Sequence, residues 1–447
     1  MPPLAETTPR PCGTTDPDAP AGAAAAPRLG RYGLLLRQPG VAPTFLASVV
    51  GKLPSGIVLL GIVLFVARAT GSYALAGAVL AGHSAGAALA APVVGRWIDR
   101  RGQRRPLLLL AVAYAASLGA LVAAGSAPGP PLVLVALGTL VGGTFPPLPP
   151  AMRALWPSLL GARTATLLPT ALALEAAATD VVFVAGPLLA AGLVTLVAPA
   201  AALLLAAALA IGGTLAFTAQ PASRARTGAP DVARAGMLGV LRTRGLRTTV
   251  ACGAAIGFCL GATEVALPVY ARDAGHDGAA GILIAVWAGG SVLGGVAYGI
   301  RRWAGPAHRR WPPLLLAFGL LFLPLAAAPS LPLIVPTAVL AGVLMAPVLA
   351  AGNEVAGTLA APGTETETYS WAAMATTAGS GIGAALAGQV AEGLSWRLAV
   401  LAAALVALAA AALAAARRER LAPSHEAAPV VATALGEPVT LPRSPRP

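Results

Sequence analysis

Gly95-Arg96-Trp97-Ile98-Asp99-Arg100-Arg101-Gly102-Gln103-Arg104-Arg105 sets five arginines and one acid between two apolar stretches. Residues 73–94 before it and 106–125 after it hold no Lys, Arg, Asp or Glu. Outward from this stretch the pattern repeats. Four basic residues precede Val41, two stand at Arg153 and Arg163, and six run from Arg224 to Arg247. Four more lie from Arg301 to Arg310 and five from Arg417 onward, whereas Arg68, Arg272 and Arg397 stand alone in the intervening connections. Basic residues beside membrane helices stay on the cytoplasmic face. The alternation therefore predicts an even number of crossings with both termini cytoplasmic in a cell inner (plasma) membrane.

Composition agrees. Apolar residues make up 57% and charged residues 11% of the 447, too little charge to cover a soluble surface. A net charge of +13 would point to nucleic acid in a soluble chain. Here the basic residues hug apolar segments, so the partner they fit is the anionic lipid surface of a bilayer. Cys12, Cys252 and Cys259 have no metal-ligand spacing, and the four histidines are scattered, so no metal and no cofactor are expected.

A crossing needs about 20 apolar residues. That ruler predicts an all-α membrane protein of twelve transmembrane helices, at 41–66, 73–94, 106–125, 131–150, 164–190, 198–218, 248–270, 279–300, 311–327, 331–352, 368–391 and 396–416. Residues 1–40 and 417–447 read as disordered cytoplasmic tails and 219–247 as a cytoplasmic linker. The linker divides the chain into six-helix bundles at 41–218 and 248–416, two pseudo-repeats about an axis along the membrane normal. Pro146 and Pro147 in the fourth helix and Gly186-Pro187 in the fifth are expected to bend their helices. In the eleventh, Gly379, Gly383 and Ala387 form a smooth face for close packing.

The opening stretch resembles the loop 2–3 signature of the major facilitator superfamily, Gly-x-x-x-Asp-Arg-x-Gly-Arg-Arg-Arg. Gly95, Asp99, Arg100, Gly102, Arg104 and Arg105 match, and Gln103 departs from the usual Arg. Further stretches resemble a bacterial, actinobacterial-like, drug-exporter-like branch: Pro146-Pro147 with Arg153-Ala154-Leu155-Trp156-Pro157, Glu175 to Pro187, and Ala361 to Thr368 with Trp371. The resemblance implies a secondary transporter working by alternating access, with the matched residues as a gate. The second half lacks the acid in its copy, Tyr298-Gly299-Ile300-Arg301-Arg302, so a matching ion pair there is not expected.

Ionisable groups inside a bilayer are costly and mark function. Lys52, Glu175, Asp180 and Glu264 fall inside predicted helices. Lys52 and Glu175 lie at similar depth in the first and fifth helices, which predicts an ion pair lining the cavity. Three readings stay open: a carboxyl that exchanges protons during the cycle, acids that bind a cationic substrate, or a fixed structural pair with Asp180 and Glu264 in water. Trp287 and Trp371 are candidates to stack on substrate, and His83 is a candidate packing or relay residue. Trp97, Trp156, Trp303 and Trp311 read as anchors at the inner boundary. Glu354 reads as solvated, and Glu365 and Glu367 as partners for Arg153 or Arg163 across the halves.

The expected function is proton-coupled export of a small amphipathic or cationic organic molecule by a chain active as a monomer. An importer of a small metabolite and a transport-inactive receptor or assembly factor are the alternatives. An enzyme is not expected: no His-Glu-x-x-His stretch or Cys/His cluster is present, and no phosphate-binding loop holds the sole lysine.

Overall fold

The structure, a computed structural model, describes residues 30–422 apart from 128, 199, 229–238, 276–279 and 304. The expected disorder of 1–29 and 423–447 lies outside the described residues. In chain order the helices are α1 (Gly30–Leu36), α2 (Val41–Thr70), α3 (Tyr73–Arg101), α4 (Arg104–Gly125), α5 (Pro131–Thr144) and α6 (Leu148–Thr164). There follow α7 (Leu168–Leu196), α8 (Ala201–Ala219), α9 (Pro221–Ala225), α10 (Arg244–Asp273), α11 (Ala280–Ile300) and α12 (Ala307–Ala327). The last four are α13 (Leu331–Val343), α14 (Met345–Leu359), α15 (Glu365–Gly393) and α16 (Trp396–Ala416).

Local sequence sets these ends. Gly40 and Gly71 flank α2 with φ of 78° and 71°, left-handed geometry that favours glycine. The Ser72 hydroxyl caps α3 by accepting from the Leu75 N–H. Pro146 and Pro147 interrupt the fourth rod between α5 and α6, because neither can donate the helical hydrogen bond. The tenth is likewise divided, at Leu344, into α13 and α14. Gly186-Pro187 does not break α7, and Gly186 instead sits against the backbone of Gly56 on α2.

Among the described residues, ten stretches are long and apolar enough to cross a membrane. One of them, Pro131–Val194, holds α5, α6 and α7, while α15 with its Glu, Thr, Ser and Gly residues stands outside the set. With each broken rod counted once, the long helices match the twelve predicted segments in order. Large side chains such as Leu89, Leu132, Leu188, Leu293 and Leu405 are exposed on the outer surface, as a protein solvated by lipid requires.

Helices α2 to α8 pack as one bundle and α10 to α16 as another. Glycine lets backbones meet in equivalent places of the two. A Cβ added at Gly142 would run into the His83 carbonyl, and one at Gly342 into the Trp287 carbonyl. These contacts join the second and fourth rods of each half, a structural trace of the repeat. Gly379 and Gly383 lie against the Ala254 and Phe258 carbonyls of α10, with Ala387 buried on the same helix.

Several expectations are corrected. The fourth rod continues to Thr164 and the tenth to Leu359, so Arg153 and Glu354 lie within helices. The stretch 1–40 includes ordered α1, and 417–447 includes the turn Arg418–Leu421, whose Leu421 is buried. The linker 219–247 contributes α9 and a turn at Val240–Arg242.

Candidate functional site

At the arginine-rich end the opening stretch meets the other half. Asp99, the acid of that stretch, lies in the last turn of α3. Its Oδ1 accepts from the Thr366 N–H at 3.1 Å and its Oδ2 from the Glu367 N–H at 2.7 Å. These N–H groups open α15 and have no partner within the helix. Thr364, at the capping position, turns its hydroxyl to the Ala361 carbonyl instead. A carboxylate from one half thus caps a helix of the other, with charge-assisted bonds and a favourable dipole. Gly95 permits the approach, since a Cβ there would strike Ser370 and the Glu367 backbone.

Sequence reasoning missed the cation of this contact. Arg226, in the linker, reaches Glu365 Oε2 at 2.7 Å and Asp99 Oδ1 at 3.9 Å and donates to the Ala154 carbonyl at 3.1 Å. The cross-half pair expected for Glu365 therefore forms with Arg226, not with Arg153 or Arg163. Gly102, at φ 79°, and Gly228 let the linker backbone press on the α3 end, where a Cβ on either would meet the facing chain. Gln103, the departure from the signature, is fully buried. Its Nε2 donates to the Ala151 carbonyl at 3.0 Å and its Oε1 accepts from Ser223 Oγ at 3.0 Å, a neutral slot with no room for a guanidinium's charge. Arg104 and Arg105 are exposed, and Arg100 is half-buried and lies near Glu367.

Deeper in the first bundle the predicted Lys52–Glu175 ion pair does not form. Glu175 Oε1 lies 3.0 Å from Arg153 Nε, and Oε2 accepts from Trp156 Nε1 at 3.3 Å. Arg153 and Trp156 are three residues apart on α6 and so share a face. Lys52 Nζ donates to Thr179 Oγ1 at 2.7 Å and to the main-chain carbonyl of Glu175 at 3.4 Å. Lys52 and Glu175 are 3% and 2% exposed, so each relies on these partners alone. Trp156 and Trp311, expected at the boundary, are fully buried, and Trp311 donates to the Val348 carbonyl. Trp97 and Trp303 are half-buried, the latter stacked between Arg301 and Arg310. Glu354, expected to be solvated, pairs with Arg310.

Asp180 follows Glu175 by five residues, about 140° around the helix, and this turns it away from Arg153 toward α11. It faces Ser291 of the second bundle, and neither Asp180 Oδ2 nor Ser291 Oγ has a close hydrogen-bond partner. Trp287 Nε1, one turn from Ser291, is also buried and unpartnered. Glu264 is exposed on α10, with no ion pair among the described residues. Trp371 lies beside Glu367, and His83 is half-buried with its Nδ1 unpartnered.

Gly82-His83-Ser84-Ala85-Gly86 matches the Gly-x-Ser-x-Gly pattern of hydrolase nucleophiles. It lies in the middle of α3, where Ser84 Oγ donates to the Leu80 carbonyl, and has none of the strand-to-helix turn that the chemistry needs.

The family model described as Major Facilitator Superfamily matches residues 44–326. No curated protein matches the sequence significantly. Among solved structures, the human organic anion transporter MFSD10 (TETRAN) is similar, with 19% identity and a TM-score of 0.64, over 83% of this chain and 98% of that one. A bacterial homologue of the iron transporter ferroportin, in an outward-facing state with soaked iron, is 16% identical with a TM-score of 0.62, over 85% and 98%.

Proposed function

This chain belongs to the major facilitator superfamily and is a membrane transporter, and on that premise we propose that it works by alternating access as a proton-coupled exporter of small cationic or amphipathic molecules. The observation that carries the alternating-access reading is the gate. Asp99 caps α15 across the halves, and Arg226 ties Glu365 to the α6 backbone beside it. With the arginine-rich end toward the cytoplasm, this state is closed inside and opens outward. Helix-capping bonds are made in full or lost as the halves rock, so they give two discrete states.

Cation chemistry is supported by two acids that form no ion pair among the described residues. Asp180 lies at the seam between the bundles and Glu264 is exposed on α10, whereas the cations Lys52 and Arg153 are already engaged. One similar structure is an organic anion transporter and the other a homologue of an iron transporter, and at such low identity neither sets the substrate here. Of the carboxyls, Asp180 is assigned the coupling role, because its surroundings include the other half and must change during the cycle.

The test is transport by the reconstituted protein in liposomes under an imposed pH gradient, with a panel of cationic dyes. Expected is movement that stops when an ionophore collapses the gradient. Folded protein that moves none of the dyes would count against the exporter reading. The gate has its own test. Asp99→Ala removes two charge-assisted bonds, each about 1.5–3 kcal/mol, and is expected to shift the population at least tenfold toward cytoplasmic opening. Spin-label distances across the cytoplasmic end, between Arg163→Cys and Arg309→Cys with Cys12 replaced by Ser, read that shift.

A further inference from the structure

Short helix α1 precedes the first long helix and lies across the seam between the bundles. Its neighbouring residues grip opposite halves. Arg31 donates through Nη2 to the Thr166 carbonyl at 2.6 Å, in the turn Ala165–Leu167 that leads into α7, and through Nε to Thr170 Oγ1 at 3.2 Å in the first turn of α7, both in the first half. The Tyr32 hydroxyl lies 3.3 Å from the carbonyls of Gly295 and Val296, both on α11 in the second half. Beneath them Thr170 Oγ1 donates to the Gly299 carbonyl at 2.6 Å, a direct bond across the seam.

The groove that receives Tyr32 is made by glycine. A Cβ at Gly299 would overlap the Tyr32 hydroxyl and ring, so the ring occupies space that any other residue would fill. Burial pushes the Tyr32 hydroxyl up to about 12, so it remains a neutral donor at any physiological pH. Adjacent Cα atoms are about 3.8 Å apart. Two consecutive residues cannot hold both helices once the ends of α7 and α11 separate by more than a few ångströms.

We propose that α1 is a strap across the α7–α11 seam, which favours the state closed at the arginine-rich end and must release one half before that end opens. The strap is distinct from the gate, since Asp99 and Arg226 act at α3, α6 and α15, while Arg31 and Tyr32 act at α7 and α11. It rests on the alternating-access reading, and it adds to that reading a control element supplied by the segment before the first crossing. Anything that binds or modifies that segment would then change the balance of states without touching the transport pathway.

The test uses the full chain in liposomes with the same label pair, at Arg163→Cys and Arg309→Cys, both exposed and outside the strap. Tyr32→Phe keeps the ring and removes the hydroxyl. It is expected to raise the long-distance population about three- to tenfold, the size expected when one modest hydrogen-bonding group is lost. Gly299→Ala evicts the ring and also presses on Ala173 of α7 across the seam, so it is expected to produce a shift at least as large, with little further change when combined with Tyr32→Phe. Unchanged distances in both variants, while Asp99→Ala still shifts them, overturn the strap alone. Unchanged distances in all three overturn the alternating-access reading with it. A shift in Tyr32→Phe that Gly299→Ala fails to reproduce also overturns the strap, because the hydroxyl would then act elsewhere. The distances require neither substrate nor a proton gradient, so failure of the coupling assignment leaves this test intact.

Discussion

Asp180→Asn is expected to lower pH-gradient-driven transport at least tenfold while leaving the unfolding temperature within a few degrees of the parent. The first half of this follows from position. Asp180 turns from the α6 side of α7 toward α11, where it faces Ser291 and leaves Oδ2 without a hydrogen-bond partner. A carboxylate left this way at the centre of a bilayer protein is costly, whereas a carboxylic acid is tolerated. Separation of α7 from α11 at the seam brings water and favours loss of the proton. Asparagine keeps the shape and the capacity to bond Ser291 but has no proton to exchange.

The second half follows from the lack of a cation bonded to Asp180. Lys52, whose charge reaches Asp180, keeps its bonds to Thr179 and to the Glu175 carbonyl when Asp180 is neutralised, so stability changes little. Gradient-driven transport and unfolding temperature, measured on the same preparation, check both. Parent-like pumping by Asp180→Asn would remove the residue from the coupling step. Exchange of substrate down its own gradient should persist in the variant, which separates loss of coupling from loss of binding.

Much of the fold is legible because lipid imposes simple rules. Arginines alternate between connections, apolar runs are long enough to cross, and Pro146-Pro147 lack the N–H groups that would carry the helix past them. The break in the fourth rod and the packed faces of Gly379 and Gly383 follow from residue chemistry alone. Site partners are less legible. A fixed ruler of about 20 residues ends the fourth helix near residue 150, but α6 restarts after the prolines and runs to Thr164. Arg153 thereby moves from a loop into the bundle, and with Trp156 it takes the carboxylate expected to pair with Lys52. Arg226 and Tyr32 were illegible for a different reason. Each lies in a short segment outside the long apolar runs, and only the tertiary fold brings that segment to the seam. Gln103 carried a usable signal, since its departure from the signature marks a buried, neutral slot.

Glu175→Gln is expected to destabilise the protein by about 3–5 kcal/mol, the usual cost of removing one partner from a buried ion pair. Arg153 and Glu175 have side chains 14% and 2% exposed, so water can replace little of what is lost. Gln can still accept from Trp156 Nε1, but Arg153 is left as a charge with no counterion, close to Lys52. Adding Arg153→Met should recover most of the loss, because a buried pair exchanged for apolar or neutral groups is often close to neutral in stability. Thermal unfolding in detergent, read by intrinsic tryptophan fluorescence, gives the ordering: parent near the double variant, with Glu175→Gln well below. The same pair decides between two roles for the carboxylate. Arg153, Trp156 and Glu175 all belong to one bundle, which moves as a body, so their contacts persist as the halves rock. A carboxylate whose partners do not change has no reason to release a proton during the cycle. The refolded double variant should therefore retain gradient-driven transport despite having no acid at position 175. A stable double variant that no longer responds to the gradient would return the coupling role to Glu175 and take it from Asp180.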